Sequence, residues 1–277
     1  MTVVPASRAK IAAFRALHRK GAAFLCPNFW DAGSAKILEG LGFAALASTS
    51  SGFALTKARA DYGVTRGDVI AHAREVCAAV AIPVTADLEK GFGARPEDCA
   101  LTIEEAASTG LCGGSIEDST GDPASPIHAM PAAVDRVAAA AEAARATKNG
   151  FVLTARAEAF LYGEADLRDV IKRLQAFEDA GADVLFAPGL PTLNDVAAVC
   201  SSVSKPVNVL VFGALAQHSV EEFARAGVAR LSVGGGLANA AYAALVACAL
   251  DIRDTGSFTS LGARRDAVRR VKSIIGD

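Results

Sequence analysis

The amino-acid sequence predicts an α/β fold, a single (β/α)8 TIM barrel that occupies residues 1–277. Eight short apolar runs recur along the chain, and each suits a strand that is buried on both faces. Ala-rich stretches with helical spacing separate the runs, so the strands are expected to be parallel. Eight such units in 277 residues favour a closed barrel over an open, doubly wound sheet.

The predicted strands lie at 23–26, 44–49, 83–87, 112–117, 151–156, 183–187, 206–210 and 230–233. Helices are predicted most clearly over 131–146, 167–180 and 221–226. Glycines such as Gly110 and Gly181 stand where a helix stops before the next strand. One further amphipathic helix, over 260–275, extends the barrel at its C-terminal end.

Composition excludes several classes of function. The net charge is −2 and Lys and Arg are scattered, so no nucleic-acid partner is expected. We find no uninterrupted apolar segment of the length that spans a membrane, and no signal peptide is expected. The six cysteines stand singly in apolar stretches, which indicates free thiols and a reducing cytoplasm rather than a disulfide framework. The four histidines fall in predicted helices or outer loops and are expected to be surface or helix residues: His18, His72, His128 and His218.

Acidic residues follow neighbouring strands at the end of the barrel where active sites form. Asp87 and Glu89 end the third strand, Glu117 ends the fourth, and Asp61 can join them from the loop after the second. Carboxylates without nearby His or Cys suit Mg²⁺, or alternatively Mn²⁺, rather than zinc. The alternative is that these acids are solvated or form salt bridges.

An arginine and two small-residue loops complete the predicted site. Arg156 ends the fifth strand and can bind a carboxylate or phosphoryl group in bidentate fashion, or else pair with Glu158 or Glu117. The segment Ser50-Ser51-Gly52 offers hydroxyls and backbone N–H groups for an anion, or is an ordinary turn. The glycines at 234–236 suit either a phosphate site or close packing.

Five runs of sequence resemble the isocitrate lyase/phosphoenolpyruvate mutase superfamily, in the branch similar to phosphoenolpyruvate phosphonomutase and 2-methylisocitrate lyase. These runs are PNFWDAGSAKILEGLGFAALASTSSGFA (27–54), TADLEKGFG (85–93), SIEDSTGD (115–122), TARAEAFLYG (154–163) and KPVNVL (205–210). They cover nearly the whole chain in the same order and spacing as in that superfamily.

The resemblance implies a role for each residue of the site. It makes Asp87 the direct Mg²⁺ ligand, with Asp61, Glu89 and Glu117 holding its waters. It assigns Arg156 to binding and orienting a small 2-oxo carboxylate. Ser50, Ser51, Gly52 and Asn208 would add substrate contacts, and Trp30 and Asp31 would line the pocket floor. The implied chemistry is cleavage of a C–C bond in a 2-oxo or 2-hydroxy dicarboxylate through a metal-stabilised enolate.

The sequence departs from that superfamily after Glu117. The lyases carry a Lys-x-Cys-Gly-His gate whose cysteine handles protons, whereas 117–123 reads EDSTGDP. Glu89 also replaces an Asp that many members carry. Decarboxylation of a diacid such as oxaloacetate needs no base in this loop, so a lyase or decarboxylase is the first hypothesis. A phosphonate P–C bond mutase or hydrolase, and a catalytically silent barrel that binds a 2-oxo acid, are the alternatives. The resemblance also implies a homo-oligomer, a dimer or tetramer, whose C-terminal helix is exchanged between subunits.

Overall fold

The computed structural model describes residues 5–163, 166–262 and 265–276. The strands are β1 (Phe24–Leu25), β2 (Asn28–Phe29), β3 (Leu46–Ser48), β4 (Val84–Asp87), β5 (Gly113–Glu117), β6 (Val152–Arg156), β7 (Val184–Phe186), β8 (Val207–Leu210) and β9 (Arg230–Ser232). All of them pair in parallel in one curled sheet, in the order β1-β9-β8-β7-β6-β5-β4-β3-β2. The predicted parallel α/β fold is therefore confirmed, and every predicted run contains at least one strand.

The first predicted strand is split into two pieces that join the ends of the sheet. Strand β1 pairs with β9, whereas β2 pairs with β3. Between the two pieces lie Cys26, whose N–H donates to the carbonyl of Leu231, and Pro27, whose carbonyl accepts from Ala47. Proline has no N–H to give to a sheet, so the segment changes partner at this point. The two edges of the sheet thus meet within one short stretch of chain.

Helices alternate with the strands and cover the outside of the sheet. They are α1 (Arg8–Leu17), α2 (Ala32–Gly40), α3 (Ser50–Thr56), α4 (Arg66–Ala79), α5 (Pro96–Ala107), α6 (Met130–Ala146), α7 (Leu167–Asp179), α8 (Leu193–Ser202), α9 (Val220–Arg225), α10 (Gly236–Thr255), α11 (Thr259–Gly262) and α12 (Arg265–Ile275). The apolar core lies between these helices and the sheet, with Phe177, Leu174 and Ile103 among its fully buried side chains. This continuous core holds the strands in place, and it therefore fixes the positions of the polar residues at the carboxyl ends of the strands.

The C-terminal helices differ from the others in their exposure. The predicted helix over 260–275 is present as α11 and α12, and residues 263–264 lie outside the described ones. The side chain of Ile274 on α12 lies directly over Gly40 at the end of α2 in the same chain. Exchange of this helix between subunits stays a prediction. Among the described residues, α10 is the one helix long and apolar enough to cross a membrane by length and composition alone.

Candidate active site

Arg156 lies at the centre of the acidic cluster, at the carboxyl end of β6. Its Nη1 is 2.9 Å from Asp87 Oδ1, its Nη2 is 3.3 Å from Glu117 Oε2, and its Nε is 2.8 Å from Glu158 Oε1. The ring of Phe186 lies 5.2 Å from the centre of the guanidinium. The sheet register places Glu117 directly beside Arg156, because β5 and β6 pair at these residues. The predicted ion pairing of Arg156 with Glu117 and Glu158 is therefore present.

One guanidinium cannot neutralise three carboxylates. Glu117 and Glu158 are 2% and 1% exposed, and burial raises the pKa of both carboxyls although Arg156 opposes it. The pKa of Glu158 is raised to about 8. A buried carboxylate is expensive unless its charge is balanced. The cluster therefore holds more acidic groups than its one cation can balance, and the raised pKa values show that burial and mutual repulsion oppose their ionisation.

Glu89 adds a further acidic group to this cluster. It is 2% exposed, and burial, with Asp87 and Asp61 as neighbours, raises its pKa to about 8. Its Oε1 has no hydrogen-bond partner among the described residues. Its backbone has a positive φ of 49°, a conformation that is uncommon outside glycine and concentrates at functional sites. The backbone N–H of Glu89 donates to Asp87 Oδ1 at 3.0 Å, which ties the two acids together.

Asp61 joins the cluster from the loop after α3, as predicted. Burial of its carboxyl and the nearby Asp87 raise its pKa, and the nearby Ser50 hydroxyl opposes this rise. Ser50 is therefore brought to the acids. The described residues contain no group of three or more His, Cys, Asp or Glu side chains already arranged to hold a metal ion. A hard oxygen donor set with an unpartnered buried Glu89 atom nevertheless fits Mg²⁺, which needs only one or two direct carboxylates and keeps several waters.

Two residues that the sequence did not single out hold Glu117. The hydroxyl of Tyr62 donates to Glu117 Oε1 at 2.6 Å, and the hydroxyl of Ser119 donates to the same atom at 2.7 Å. Tyr62 also has a positive φ of 62°. Ser119 stands within a quoted motif, two residues after Glu117. Tyr62 is 55 residues from Glu117 in the chain, so no local pattern reveals the contact.

The segment at Ser50–Gly52 begins α3. The side chain of Thr49 caps the helix by accepting from the N–H of Gly52 at 3.4 Å. A Cβ on Gly52 would lie 3.0 Å from the Cβ of Trp30 and 3.1 Å from that of Ala238. Close packing therefore requires glycine here. The hydroxyl of Ser51 lies 3.1 Å from Thr49 Oγ1, and its contact with substrate stays a prediction.

Trp30 and Asp31 lie beside α2 rather than under Arg156. Asp31 caps α2, since its carboxylate accepts from the N–H of Ser34 at 2.6 Å. Trp30 lines a separate cleft of about 450 Å³ with Asp31, Ser34 and Leu237. Asp31 thus caps a helix, and the expectation that it lines the floor of the substrate pocket stays a prediction. A substrate contact through Trp30 stays a prediction.

Asn208 faces the interior of the barrel. Its Nδ2 donates to Ser232 Oγ at 3.0 Å, and its Oδ1 accepts from Arg230 Nε at 2.8 Å. Both Asn208 and Arg230 line a cavity of about 40 Å³ that Asp87 and Arg156 also line. Sequence reasoning passed over Arg230, because it begins a short apolar strand and no neighbouring charge marks it.

The glycines at 234–236 and two histidines have structural partners. Asn28 Oδ1 accepts from the backbone N–H groups of Val233 and Gly234 at 2.9 and 3.0 Å. His72 lies in α4, in keeping with the expectation of a surface or helix residue, but it is buried: it is 7% exposed and stacks on Phe53 with ring centroids 4.0 Å apart. His18 is half-buried as well. Burial lowers the pKa of His72 to about 4.

The loop after β5 covers one side of the acids. Ser119 and Ile127 form an antiparallel bridge, and Lys90 Nζ donates to the carbonyl of Thr120 at 3.2 Å. An open cleft of about 800 Å³ lies between this loop and the preceding one, lined by Tyr62, Glu89, Lys90, Thr120 and His128 among others. The cleft gives a small molecule an approach to Glu89.

The chain is similar in sequence to one protein family and to several individual proteins. The profile of the family described as phosphoenolpyruvate phosphomutase matches residues 14–253. An uncharacterized protein of Mycobacterium tuberculosis H37Rv is 30% identical over 240 residues, 83% of this chain and 87% of that protein. The 2-methylisocitrate lyase of Escherichia coli K12 is 29% identical over 227 residues, 78% of this chain and 75% of the lyase. Oxaloacetate decarboxylase 1 of Pseudomonas putida W619 is 26% identical over 246 residues, 86% and 82% of the two chains.

Solved structures share the fold over most of the chain. A candidate lyase/mutase from Burkholderia cenocepacia J2315 is 48% identical with a TM-score of 0.89, covering 95% of both chains. A candidate phosphonomutase from the same organism is 32% identical with a TM-score of 0.82, covering 90% of this chain and 99% of that one. Phosphonopyruvate hydrolase with oxalate and Mg²⁺ has a TM-score of 0.82 at 24% identity, covering 97% and 95%. That last likeness supports the fold alone.

Proposed function

Because this chain belongs to the phosphoenolpyruvate phosphomutase family, we propose that it is a Mg²⁺-dependent lyase or decarboxylase. Its substrate would be a small 2-oxo or 2-hydroxy dicarboxylate in which it cleaves a C–C bond. The observation that carries the proposal is the cluster of Asp87, Glu89 and Glu117 around Arg156, in which acidic groups outnumber the one cation and the pKa values of Glu89 and Glu117 are raised. Such an excess is what a divalent cation would balance.

The metal would be held by the acids of this cluster. Asp87 would be the direct ligand, and Asp61, Glu89 and Glu117 would hold its waters; Mn²⁺ would serve the same donor set. Mg²⁺ when bound supplies a Lewis acid that draws electrons toward a 2-oxo group. The unpartnered Oε1 of Glu89 supports this assignment, because a buried acceptor without a donor costs free energy.

The remaining residues would bind and orient the substrate. Arg156 is 12% exposed at its side chain and would face a substrate carboxylate once a cation shares the acids it now pairs with. Ser50, Ser51 and Gly52 at the start of α3 would add polar contacts, with Asn208 and Trp30 at the edges of the site. Phe186 packs on Arg156 and would keep water from that face. Positioning of this kind is a large part of catalysis.

The loop after β5 bears on which bond is cleaved. Its segment 119–123 contains no Lys, Cys or His, so it offers no side chain for a proton transfer of the lyase type. Decarboxylation releases CO₂ and leaves an electron pair that the 2-oxo group accepts as an enolate, with no base required at this step. The named relatives include both a 2-methylisocitrate lyase and an oxaloacetate decarboxylase. We therefore place oxaloacetate first among substrates.

Purified protein incubated with Mg²⁺ tests the proposal through its products. We expect pyruvate without phosphate from oxaloacetate or a methylisocitrate-type acid. Phosphate from phosphonopyruvate, or phosphonopyruvate from phosphoenolpyruvate, would replace the proposal with P–C bond chemistry. No turnover, together with a rise in melting temperature on adding a 2-oxo acid and Mg²⁺, would identify a silent binding barrel. Asp87→Ala should abolish turnover, and Asp169→Asn, at a site 73% exposed, is the matched control.

Assembly and location follow from two further observations. Exposed apolar side chains concentrate on α10, on α11 and on the segment between them, including Leu245, Val246, Phe258 and Leu261. Such a surface fits contact between copies of the chain, and we propose a homo-oligomer, dimer or tetramer. All six cysteines are free, which supports a cytoplasmic protein. Light scattering coupled to gel filtration would reject the oligomer if it gave the mass of one chain.

A further inference from the structure

The interior of the barrel is unusually polar below the acidic cluster. Barrels of this kind normally fill their interior with Val, Ile and Leu. Here the wall of the 40 Å³ cavity consists mostly of hydroxyl, amide and charged side chains: Asn28, Ser48, Thr85, Asp87, Ser115, Arg156, Asn208, Arg230 and Ser232. The buried hydrogen-bonding groups of such a cavity have to be paired with one another or with an ion or molecule bound in it.

Arg230 is the residue on this wall whose positive charge is not balanced by an acidic partner among the described residues. It is 5% exposed, and its guanidinium donates to Asn208 Oδ1 at 2.8 Å and to Thr154 Oγ1 at 3.2 Å. Its Nη1 lies 3.3 Å from Nε2 of His18. A guanidinium carries five N–H groups, so these three contacts do not use all of its donors. None of the three partners bears a carboxylate.

His18 contributes no negative charge and stays neutral. Its Nδ1 lies 2.9 Å from the carbonyl oxygen of Phe14, which can only accept, so Nδ1 carries the proton. Nε2 therefore presents a lone pair to Arg230. Burial and the charge of Arg230 lower the pKa of His18 to about 3. The nearby thiol of Cys26 is also neutral, since burial raises its pKa to about 12.

No carboxylate forms a salt bridge with Arg230 within residues 5–163, 166–262 and 265–276. Asp87 is the one acid on the cavity wall, and it is paired with Arg156 at 2.9 Å. Arg156 and Arg230 thus face the same cavity, and each disfavours the charge of the other. A buried cation without a counter-ion is costly, and Arg230, unlike Arg156, has no acidic partner among the described residues, so its side of the cavity favours an anion.

We propose that the cavity between Arg230 and Arg156 binds one small monovalent anionic group. One water needs roughly 10–15 Å³ of such cavity volume, so a space of about 40 Å³ admits a halide or a single carboxylate group. The hydroxyls of Ser115 and Ser232 and the amide of Asn208 line the same space and can donate to the anion. The cavity shares Asp87, Arg156 and Asn208 with the site of the proposed function, but the anion is inferred from Arg230 and would bind whether or not the chain catalyses that reaction.

Bromide is the probe for this site, because its anomalous scattering separates it from water. Crystals of the full chain grown in sodium bromide should show an anomalous peak in the cavity beside Arg230. In solution, chloride should raise the melting temperature above that in gluconate at equal ionic strength by at least about 2 °C. Arg230→Met should remove this difference, and Arg253→Met, at a side chain 71% exposed, should keep it.

Two sources of the anion give different outcomes. If oxalate displaces the bromide peak, the cavity takes a carboxylate of a substrate-like acid; if the peak persists beside bound oxalate, it takes a free anion. Water alone in the cavity, with equal melting temperatures in chloride and gluconate, would overturn the proposal. If Arg230→Met fails to fold, the bromide experiment on the unaltered chain decides whether the cavity binds an anion.

Discussion

Replacing Tyr62 with Phe tests how the buried acid Glu117 is stabilised. The change removes one hydroxyl that donates to Glu117 Oε1 at 2.6 Å and keeps the ring in place. A hydrogen bond to a charged group contributes about 1.5–3 kcal/mol. Tyr62 is 38% exposed, and Ser119 still donates to the same oxygen. We therefore expect a loss at or below the lower end of that range, about 1–1.5 kcal/mol.

Urea unfolding of metal-free protein measures this loss directly. For a chain of this size a change of 1 kcal/mol moves the melting temperature by about 2–4 °C, so Tyr62→Phe should melt about 2–6 °C lower. Tyr162→Phe is the matched control, because Tyr162 is 41% exposed and lies outside the acidic cluster. A Tyr62→Phe protein no less stable than the Tyr162→Phe protein would refute the role given to this hydrogen bond.

Two further variants address charge in the barrel. Burial lowers the pKa of His18 to about 3, so the folded state resists its protonation; stability is full above the unfolded value of 6.5 and is lost as the pH falls below it. Between pH 7 and 4.5 the unaltered chain should lose about 2–3 kcal/mol that His18→Gln does not lose; parallel urea midpoints for the two proteins would contradict this. Above its raised pKa of about 8, Glu89 carries a buried charge whose neighbours are acids, so above that pH Glu89→Gln should raise the melting temperature in EDTA and reduce the further rise on adding Mg²⁺. A lower melting temperature of the variant in EDTA would show that other groups of the protein already balance the charge of Glu89.

The sequence predicts the fold and the strand-end acids well, because both depend on local pattern. Apolar runs separated by helical periodicity locate every strand, and parallel strands bring their carboxyl ends together. Asp87, Glu117 and Arg156 therefore come into contact as expected. Pro27 also explains in retrospect why the first strand divides, since proline cannot supply the N–H that a continuous strand needs.

Contacts between distant parts of the chain escape this kind of reasoning. Tyr62 reaches Glu117, and Arg230 reaches Thr154, across 55 and 76 residues, and only the closed fold brings these pairs together. His72 is a different case. It shares a helical face with Val69, Ala73 and Val76, all buried in α4. The helical spacing therefore predicts a buried position for His72, whereas the polarity of its side chain suggests an exposed one.

Metal binding by Asp87 is the central claim, and Mn²⁺ binding followed by electron paramagnetic resonance tests it most directly. Asp87→Asn keeps the shape of the side chain and removes its charge, and Asp169→Asn serves as the exposed control. We predict that the unaltered chain and the control bind Mn²⁺ and that Asp87→Asn does not. Equal Mn²⁺ binding by Asp87→Asn and the unaltered chain would contradict the assignment of the site.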